Sequence, residues 1–232
     1  MPEEPALIEL YEEIADCPNC ELARRRTQTV PGSGPASAEI MLIGEAPGAR
    51  EDEQGVPFIG PAGRFLDELL ASVGLSRETV YIANVVKCRP PDNRDPQPAE
   101  IAACQPFLDR QIAIIDPKLI VTLGRFSMAR WFSGTTISRV HGQPKRIDGR
   151  YVIPMYHPAA ALHRGSLRGE IMADFARLPE LLEEARAEAT TPAAAPAQPP
   201  AAPAQSADAP ASSTQREPLA SVQRDASQTP LL

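Results

Sequence analysis

Short apolar runs alternate along the chain with segments of helical periodicity. Four runs typical of buried strands lie at residues 39–43, 80–86, 119–123 and 151–156. Apolar positions at helical spacing predict helices at residues 5–15, 62–73, 98–115, 125–132 and 168–188. Strands that alternate with helices are typical of a parallel sheet covered on both faces. The pattern therefore predicts an α/β fold: three α/β/α layers around a central, mainly parallel four-stranded sheet.

The ends of the predicted strands carry the informative residues, because sheets of this class bind ligands outside the carboxyl ends of their strands. Four segments lie there, at residues 44–58, 84–89, 124–126 and 157–162, and we expect one crevice to collect them. The first segment, GEAPGAREDEQGVPF, is rich in glycine like a phosphate-binding loop. It has carboxylates where such a loop has lysine, so a nucleotide phosphate is a poor match.

The carboxyl-terminal segment differs in composition from everything before it. Between Thr190 and Leu232, 20 of 43 residues are Pro or Ala, with hardly a large apolar side chain. Such a segment buries too little apolar surface to offset its ordering entropy. We therefore predict one domain over residues 1–189 and a disordered Pro/Ala-rich tail over residues 190–232. A passive tail is the favoured interpretation, and a tether that contacts an unidentified protein is the alternative.

Charge is unevenly placed along the chain, although the formal net charge is −7. Residues 1–23 contain seven acidic residues and no basic one, whereas residues 139–169 contain six basic residues, one acidic residue and all three histidines. Since placement rather than net charge attracts a polyanion, the second stretch predicts a basic face for an anionic partner. An ordinary solvated surface is the alternative. The absence of an amino-terminal targeting pattern and of any membrane-length apolar run predicts a cytoplasmic protein.

All four cysteines lie within two positions of a proline. Cys17 and Cys20 form a C-x-x-C pair in a polar segment, and Cys88 and Cys104 follow after 67 and 15 intervening residues. A redox pair or four small buried apolar side chains are the simpler interpretations. Four thiolates also suit zinc or an iron-sulfur cluster, and zinc fingers usually combine two C-x-x-C pairs. The spacing therefore favours a cluster that joins the amino-terminal helix to the segment after the second strand.

Four motifs in this order resemble the family 4 uracil-DNA glycosylases, the iron-sulfur members of their superfamily. They are the loop GEAPGAREDEQGVPFIGPAG, the strand YIANVVKCRP, the four-cysteine layout and the segment YHPAAAL. The resemblance covers roughly residues 5–185. It implies an enzyme that flips uracil out of single- or double-stranded DNA and hydrolyses its N-glycosidic bond, leaving an abasic site. It also implies a monomer with a [4Fe-4S] cluster on Cys17, Cys20, Cys88 and Cys104.

The resemblance assigns the glycine-rich loop and the second strand to a uracil pocket. Asn84 can accept from uracil N3–H through its oxygen and donate to O4 through its amide. Phe58 would stack on the base, although a core phenylalanine is the plainer interpretation. Gly44, Glu45 and Ala46 would line the pocket, with their backbone amides near the base.

His157 is the residue that the resemblance assigns to the departing base. It would donate a hydrogen bond to uracil O2 and so stabilise the negative charge that develops as the glycosidic bond breaks. Better-known relatives carry an aspartate at the third position of the loop, where this chain has Ala46. Glu45 is the nearest alternative carboxylate, either to orient water or to exclude the methyl group of thymine. Glu51 and Asp52 are further candidates.

The segment after His157 is expected to enter the DNA. Leu162 is the only large apolar residue there, which suits a wedge that fills the gap left by an extruded base. Arg164 and Arg168 would hold phosphates. A leucine that packs back onto the domain is the alternative.

Two other functions compete with the glycosylase hypothesis. One is a member of the same fold that stays covalently attached to its abasic product, but the extra basic insert of such relatives is absent between Cys88 and Pro98. The other is a cluster- or zinc-binding nucleotide or redox module without glycosylase activity. That module would need the Lys and Ser or Thr of a P-loop, or a dinucleotide-binding glycine pattern, and the loop has neither.

Overall fold

A computed structural model describes residues 4–190, and the predicted tail lies outside the described residues beyond Thr190. The helices of the described part are α1 (Pro5–Ala15), α2 (Ala49–Gln54), α3 (Pro61–Ser72), α4 (Pro98–Ile115), α5 (Arg125–Met128), α6 (Ile137–Val140), α7 (Pro158–His163), α8 (Leu167–Phe175) and α9 (Leu178–Thr190). Two 3₁₀ turns span Glu21–Arg24 and Pro91–Asn93.

A five-stranded sheet forms the centre of the domain. Its strands are β1 (Ile40–Gly44), β2 (Tyr81–Asn84), β3 (Leu119–Leu123), β4 (Lys145–Ile147) and β5 (Arg150–Met155). They lie in the order β2-β1-β3-β5-β4. All neighbouring pairs are parallel except β4 and β5, which pair antiparallel. The register pairs Gly44 with Asn84, so the last residues of β1 and β2 lie side by side at the carboxyl edge.

Successive side chains of the inner strands point to opposite faces of the sheet, and both faces are buried. Met41 and Ile43 of β1 pack in a core with residues of α1 and α4. Ile40 and Leu42 pack in a second core with residues of α3, α8 and α9. Continuous apolar strands are typical of a parallel sheet covered on both sides. The structure therefore confirms the predicted α/β class with helical layers on both faces.

The structure differs from the predicted elements in several places, and the short helices α2, α6 and α7 are among the elements that were not predicted. A fifth strand, β4, was not predicted because Lys145 and Arg146 are exposed on the sheet edge and form no apolar run. The single helix expected over residues 168–188 is interrupted between Phe175 and Leu178, which separates α8 from α9. The helix expected over residues 125–132 ends at Met128. No helix among residues 4–190 is both long enough and apolar enough to cross a membrane.

Candidate active site and cysteine site

A cavity of about 630 Å³ lies beyond the carboxyl ends of β1, β2 and β5. Six of the predicted site residues line it: Glu45, Ala46, Phe58, Asn84, His157 and Leu162. The loop after β1, the end of β2 and the start of α7 thus meet at one crevice, as the strand-end argument predicts. Pro90, Asn93 and Arg94 also line the cavity, and the sequence analysis did not select them.

Asn84 is a polar side chain at the end of a buried strand. It is only 1% exposed, and its Oδ1 has no hydrogen-bond partner among the described residues. Leaving a buried polar atom unpaired costs about 1–3 kcal/mol. An unpaired amide oxygen that lines a cavity therefore indicates a ligand that supplies the missing donor.

Gly44 has to be glycine for the crevice to keep this shape. A Cβ atom at this position would lie 2.4 Å from Asn84 Oδ1 and 2.6 Å from the ring of Phe58. Both distances are shorter than any ordinary carbon contact. The missing side chain lets the asparagine amide and the phenylalanine ring approach the same backbone segment.

Phe58 is held in a conformation that few non-glycine residues adopt, with φ of 54°. Its ring stacks on His157, with the ring centroids 5.4 Å apart and the planes inclined by 27°. The Arg77 guanidinium donates to the carbonyl of Pro57 at 3.0 Å and to the carbonyl of Phe58. A Cβ at Gly63 would lie 1.7 Å from the Phe58 carbonyl oxygen. Backbone strain of this kind persists where the surroundings fix it, and such places are often functional.

Glu51 of α2 holds the backbone that follows Phe58. Its Oε1 accepts hydrogen bonds from the amides of Ile59 at 2.9 Å and Gly60 at 2.8 Å. A Cβ at Gly48 would lie 2.7 Å from its Oε2. The carboxylate that was a candidate for water activation thus has a structural task at the cavity wall.

The imidazole of His157 is fixed by the start of α7. Its Nδ1 accepts a hydrogen bond from the backbone amide of Ala159 at 3.1 Å, so in the neutral ring the proton resides on Nε2. Burial lowers the pKa of His157 to about 4, and the charge of Glu51 opposes that shift. The residue is therefore a neutral imidazole at physiological pH, with Nε2–H as its available donor.

Glu45 lines the cavity immediately after β1. Burial raises its pKa, the nearby Asp95 carboxylate adds to the shift, and Arg125 opposes it. Arg125 itself forms an ion pair with Asp95. Ala46 contributes only a methyl group to the same wall. Glu45 is therefore the carboxylate at this turn, and its raised pKa makes it a stronger base.

The three predicted DNA contacts differ in their surroundings. Leu162 of α7 is 50% exposed, which is unusual for a leucine, and it stands at the mouth of the cavity. Arg164 follows α7 and is exposed. Arg168 is paired with Glu68 at 2.5 Å and lies over the ring of Phe65 at 4.3 Å. Arg168 would have to exchange this pair for a phosphate, whereas Leu162 is already presented to solvent.

The four cysteines line a second and much smaller pocket, of about 10 Å³. Cys17 and Cys20 follow α1, Cys88 follows β2 and Cys104 belongs to α4, and none of the four forms a disulfide. Arg26 also lines the pocket: its guanidinium donates to the carbonyl of Cys17 at 2.7 Å and to Cys88 Sγ at 3.4 Å.

The donor set of this pocket consists of four thiols, the ligand set that iron-sulfur clusters use. No three Cys, His, Asp or Glu side chains within residues 4–190 converge closely enough to hold one metal ion. Burial raises the pKa of Cys88 to about 11 and also raises that of Cys104. Buried thiolates need a positive partner. A cationic iron-sulfur core supplies that charge, and four thiols are its usual ligand set, so the chemistry of the four residues fits such a cluster.

Comparisons with known proteins place the chain in a family. The model of the uracil DNA glycosylase superfamily matches residues 31–178. The chain is 48% identical over 185 residues to a type-4 uracil-DNA glycosylase of Archaeoglobus fulgidus, covering 76% of this chain and 93% of the relative. It is 48% identical over 188 residues to that of Sulfurisphaera tokodaii, covering 76% and 84%. For that of Saccharolobus solfataricus the identity is 46% over 183 residues, covering 75% and 85%.

The superfamily match extends over the crevice, from the glycine-rich loop to α8. The comparisons confirm the resemblance drawn from the four sequence motifs. The chain therefore belongs to the type-4 uracil-DNA glycosylase family.

Proposed function

We propose that this protein is a uracil-DNA glycosylase that flips uracil out of DNA and hydrolyses its N-glycosidic bond, leaving an abasic site. The observation that carries the proposal is the buried, unpaired Oδ1 of Asn84 in the wall of the cavity. Uracil offers the missing donor at N3–H and an acceptor at O4 for the Asn84 amide. Cytosine has an acceptor at N3 and a donor at C4, so it reverses both contacts and is rejected.

The platform for the flipped base is the ring of Phe58, which lines the same cavity as Asn84. Stacking of a base on an aromatic side chain contributes about 1–3 kcal/mol and is tolerant of base identity. Phe58 therefore supplies binding energy, while Asn84 supplies selectivity. The backbone at Gly44 permits both side chains to reach one base.

Bond cleavage needs stabilisation of the departing uracil anion and a water molecule at the sugar. The N1–C1′ bond breaks with its electron pair going to uracil, whose developing charge extends to O2. The neutral His157 donates to O2 through Nε2–H, a preorganised donor that carries no charge of its own. Water then adds to C1′ while Glu45 accepts its proton, a task that its raised pKa favours. Uracil N1 takes up a proton on release.

Access to a base in duplex DNA requires unstacking, which costs a few kcal/mol. Leu162, exposed at the cavity mouth, enters the space that the base leaves. Arg164 and Arg168 neutralise neighbouring phosphates, the latter after release from Glu68. The enzyme acts as a monomer, since one chain supplies every group named here.

Cys17, Cys20, Cys88 and Cys104 hold a [4Fe-4S] cluster in this proposal. Held by these four residues, such a cluster would cross-link the end of α1, the segment after β2 and α4. The cysteine pocket and the crevice are separate, so the chain's own side chains carry the chemistry at the base.

Excision from end-labelled oligonucleotides tests this function. We expect release of free uracil and an alkali-labile abasic site from single strands and from U·G and U·A duplexes, with no release of thymine or cytosine. Intact uracil-containing oligonucleotides after incubation with protein of full iron content would contradict it, and would favour a cluster-binding module without glycosylase activity. A product that stays covalently attached to the protein would indicate the other alternative.

A further inference from the structure

Lys87 is a buried cation between the two sites, and the chemistry described above does not use it. The residue is 1% exposed and directly precedes Cys88. Its ammonium donates to the backbone carbonyl of Asn84 at 2.8 Å and to Oε1 of Gln111 at 2.5 Å. Burial of a lysine is rare, because its charge loses hydration, and it is tolerated only when the group is fully paired.

The backbone amide and carbonyl of Lys87 also form hydrogen bonds. Its amide donates to Cys104 Sγ at 3.2 Å, and its carbonyl accepts from the amide of Val30 at 2.7 Å. One residue thus contacts a sulfur of the cysteine pocket through its main chain and the base-reading asparagine through its side chain. The two contacts are independent hydrogen bonds. The side chain can donate to the Asn84 carbonyl either as an ammonium or as a neutral amine, because both forms carry N–H donors.

Gln111 of α4, which accepts a hydrogen bond from the Lys87 ammonium, is itself held by two further hydrogen bonds. Its Nε2 donates to the carbonyl of Pro31 at 2.7 Å and to the Tyr81 hydroxyl at 2.9 Å. The Tyr81 hydroxyl in turn lies 2.6 Å from that of Tyr11. The position of the Lys87 ammonium is therefore fixed by partners on α1, β2 and α4, the elements beside the cysteine pocket.

We propose that Lys87 is a positioning residue that sets the orientation of Asn84 in the uracil pocket and makes it depend on the cysteine site. The end of β2 carries Asn84, and no side chain or backbone group among the described residues hydrogen-bonds to its Oδ1 to orient it. The backbone contact from Lys87 therefore limits how the asparagine amide is presented to the base. This inference rests on the proposed function, since it assigns the pocket to uracil.

The test compares Lys87→Met with wild-type protein of equal iron and sulfide content. Methionine keeps an unbranched side chain and removes the donor. We expect the inhibition constant of free uracil to rise about tenfold, as for loss of a buried hydrogen bond to a charged group. Affinity for an oligonucleotide with a tetrahydrofuran abasic-site analogue should stay within about twofold, because that probe has no base to be read. Equal weakening of both probes would overturn the proposal.

A double-mutant cycle separates action through Asn84 from a general loosening of the domain. In an Asn84→Ala background, Lys87→Met should lower kcat/KM for single-stranded substrate by less than about twofold, because the side chain that it orients is gone. If the reductions in kcat/KM caused by the two substitutions multiply in the double variant, the proposal is contradicted. Lys118→Met is the matched control, since Lys118 pairs with Glu39, outside both pockets, and its uracil inhibition constant should match wild type.

Folding of the variant is checked by thermal unfolding and by the visible absorbance of the cluster. If Lys87→Met does not accumulate as folded protein, Lys87→Gln retains a polar group with a shorter reach and is measured in the same way, with the same expected outcome. Failure of both variants to fold would contradict the proposal, because it would assign Lys87 to the stability of the domain instead of to the pocket. If the wild-type protein itself releases no uracil, the proposed function is contradicted. That result differs from one in which wild type is active and Lys87→Met leaves the uracil inhibition constant unchanged, which contradicts only the role of Lys87.

Discussion

The crevice and the cysteine pocket lie in one domain but are built in different ways. The crevice collects residues at strand ends, where the sheet register sets the distance between Gly44 and Asn84. The cysteines come from two loops and a helix, and no strand pairing fixes their separation. A sheet edge presents its side chains in a defined geometry before any ligand arrives. A pocket made of loops reaches its final geometry when its ligand supplies the missing bonds.

The hydrogen bonds of the two sites show the same contrast. In the crevice, Glu51 binds the amides of Ile59 and Gly60, and Ala159 fixes the His157 ring. In the cysteine pocket, the sulfurs receive only the Arg26 guanidinium on Cys88 and one backbone amide on Cys104 among the contacts of the described residues. The crevice is thus preorganised by the protein, whereas few protein hydrogen bonds hold the sulfurs of the cysteine pocket.

The largest effect is expected from removal of a cysteine. Purified wild-type protein should be brown, with iron and sulfide in equal amounts and about four of each per chain. Cys88→Ser should lose most of this iron and sulfide and unfold at a much lower temperature, since the loops then lack their cross-link. Stoichiometric zinc without labile sulfide would contradict the cluster. Unchanged thermal unfolding after iron loss would contradict the contrast between the two sites.

The next largest effect is expected at His157. His157→Ala removes one preorganised donor and should slow excision by about 10²–10³-fold on both single strands and duplexes. Iron content should remain at the wild-type level, because the crevice does not hold the cluster. Full single-strand activity in single-turnover measurements would remove the histidine from the mechanism.

Leu162→Ala should have a smaller and selective effect. Excision from U·A duplexes should fall most, and that from single strands should persist, because unpairing costs a few kcal/mol only in the duplex. Met172→Ala is the control, since Met172 on α8 is also an exposed large apolar residue, at 43%, and does not line the cavity. An enzyme equally impaired on both substrates would refute the wedge.

The smallest effect is a pH dependence of stability that depends on His157. Its pKa is about 4 in the folded protein and 6.5 ordinarily, so between these values the unfolded chain binds more protons and stability rises with pH. The stabilisation present above about pH 6.5 is lost as pH falls towards 4. His157→Gln should flatten this dependence in urea unfolding between about pH 5 and about pH 7. If the free energy of unfolding changes with pH in the same way in wild type and in His157→Gln, the imidazole of His157 is not held neutral in the folded protein.

Local patterns and strand-end positions were enough to predict most of the architecture and the meeting of the crevice residues. Strands β1, β3 and β5 are recognisable because both of their faces are buried, which gives continuous apolar runs. The exposed edge strand β4 has no such run. The short helix α7 is only six residues long, too short for a periodicity to emerge.

The supporting contacts of the crevice could not be predicted, because they join residues far apart in the chain. Arg77 reaches the Phe58 carbonyl across 19 positions, and Lys87 reaches Gln111 across 24. Lys87 follows the apolar run that ends at Val86, and only tertiary packing reveals that its side chain is buried. The unpaired oxygen of Asn84 likewise emerges only when its surroundings are known.

In the proposed mechanism Asn84 reads the base, and the substitution Asn84→Asp is the sharpest test of that role. The substitution keeps size and shape but replaces the amide donor to uracil O4 with an acceptor. Excision of uracil and of cytosine is measured by single-turnover kinetics on matched single-stranded oligonucleotides. We expect a large loss of uracil excision with an increased relative rate for cytosine, whose exocyclic amine donates at that position. Unchanged uracil excision by this variant would show that Asn84 does not read the base.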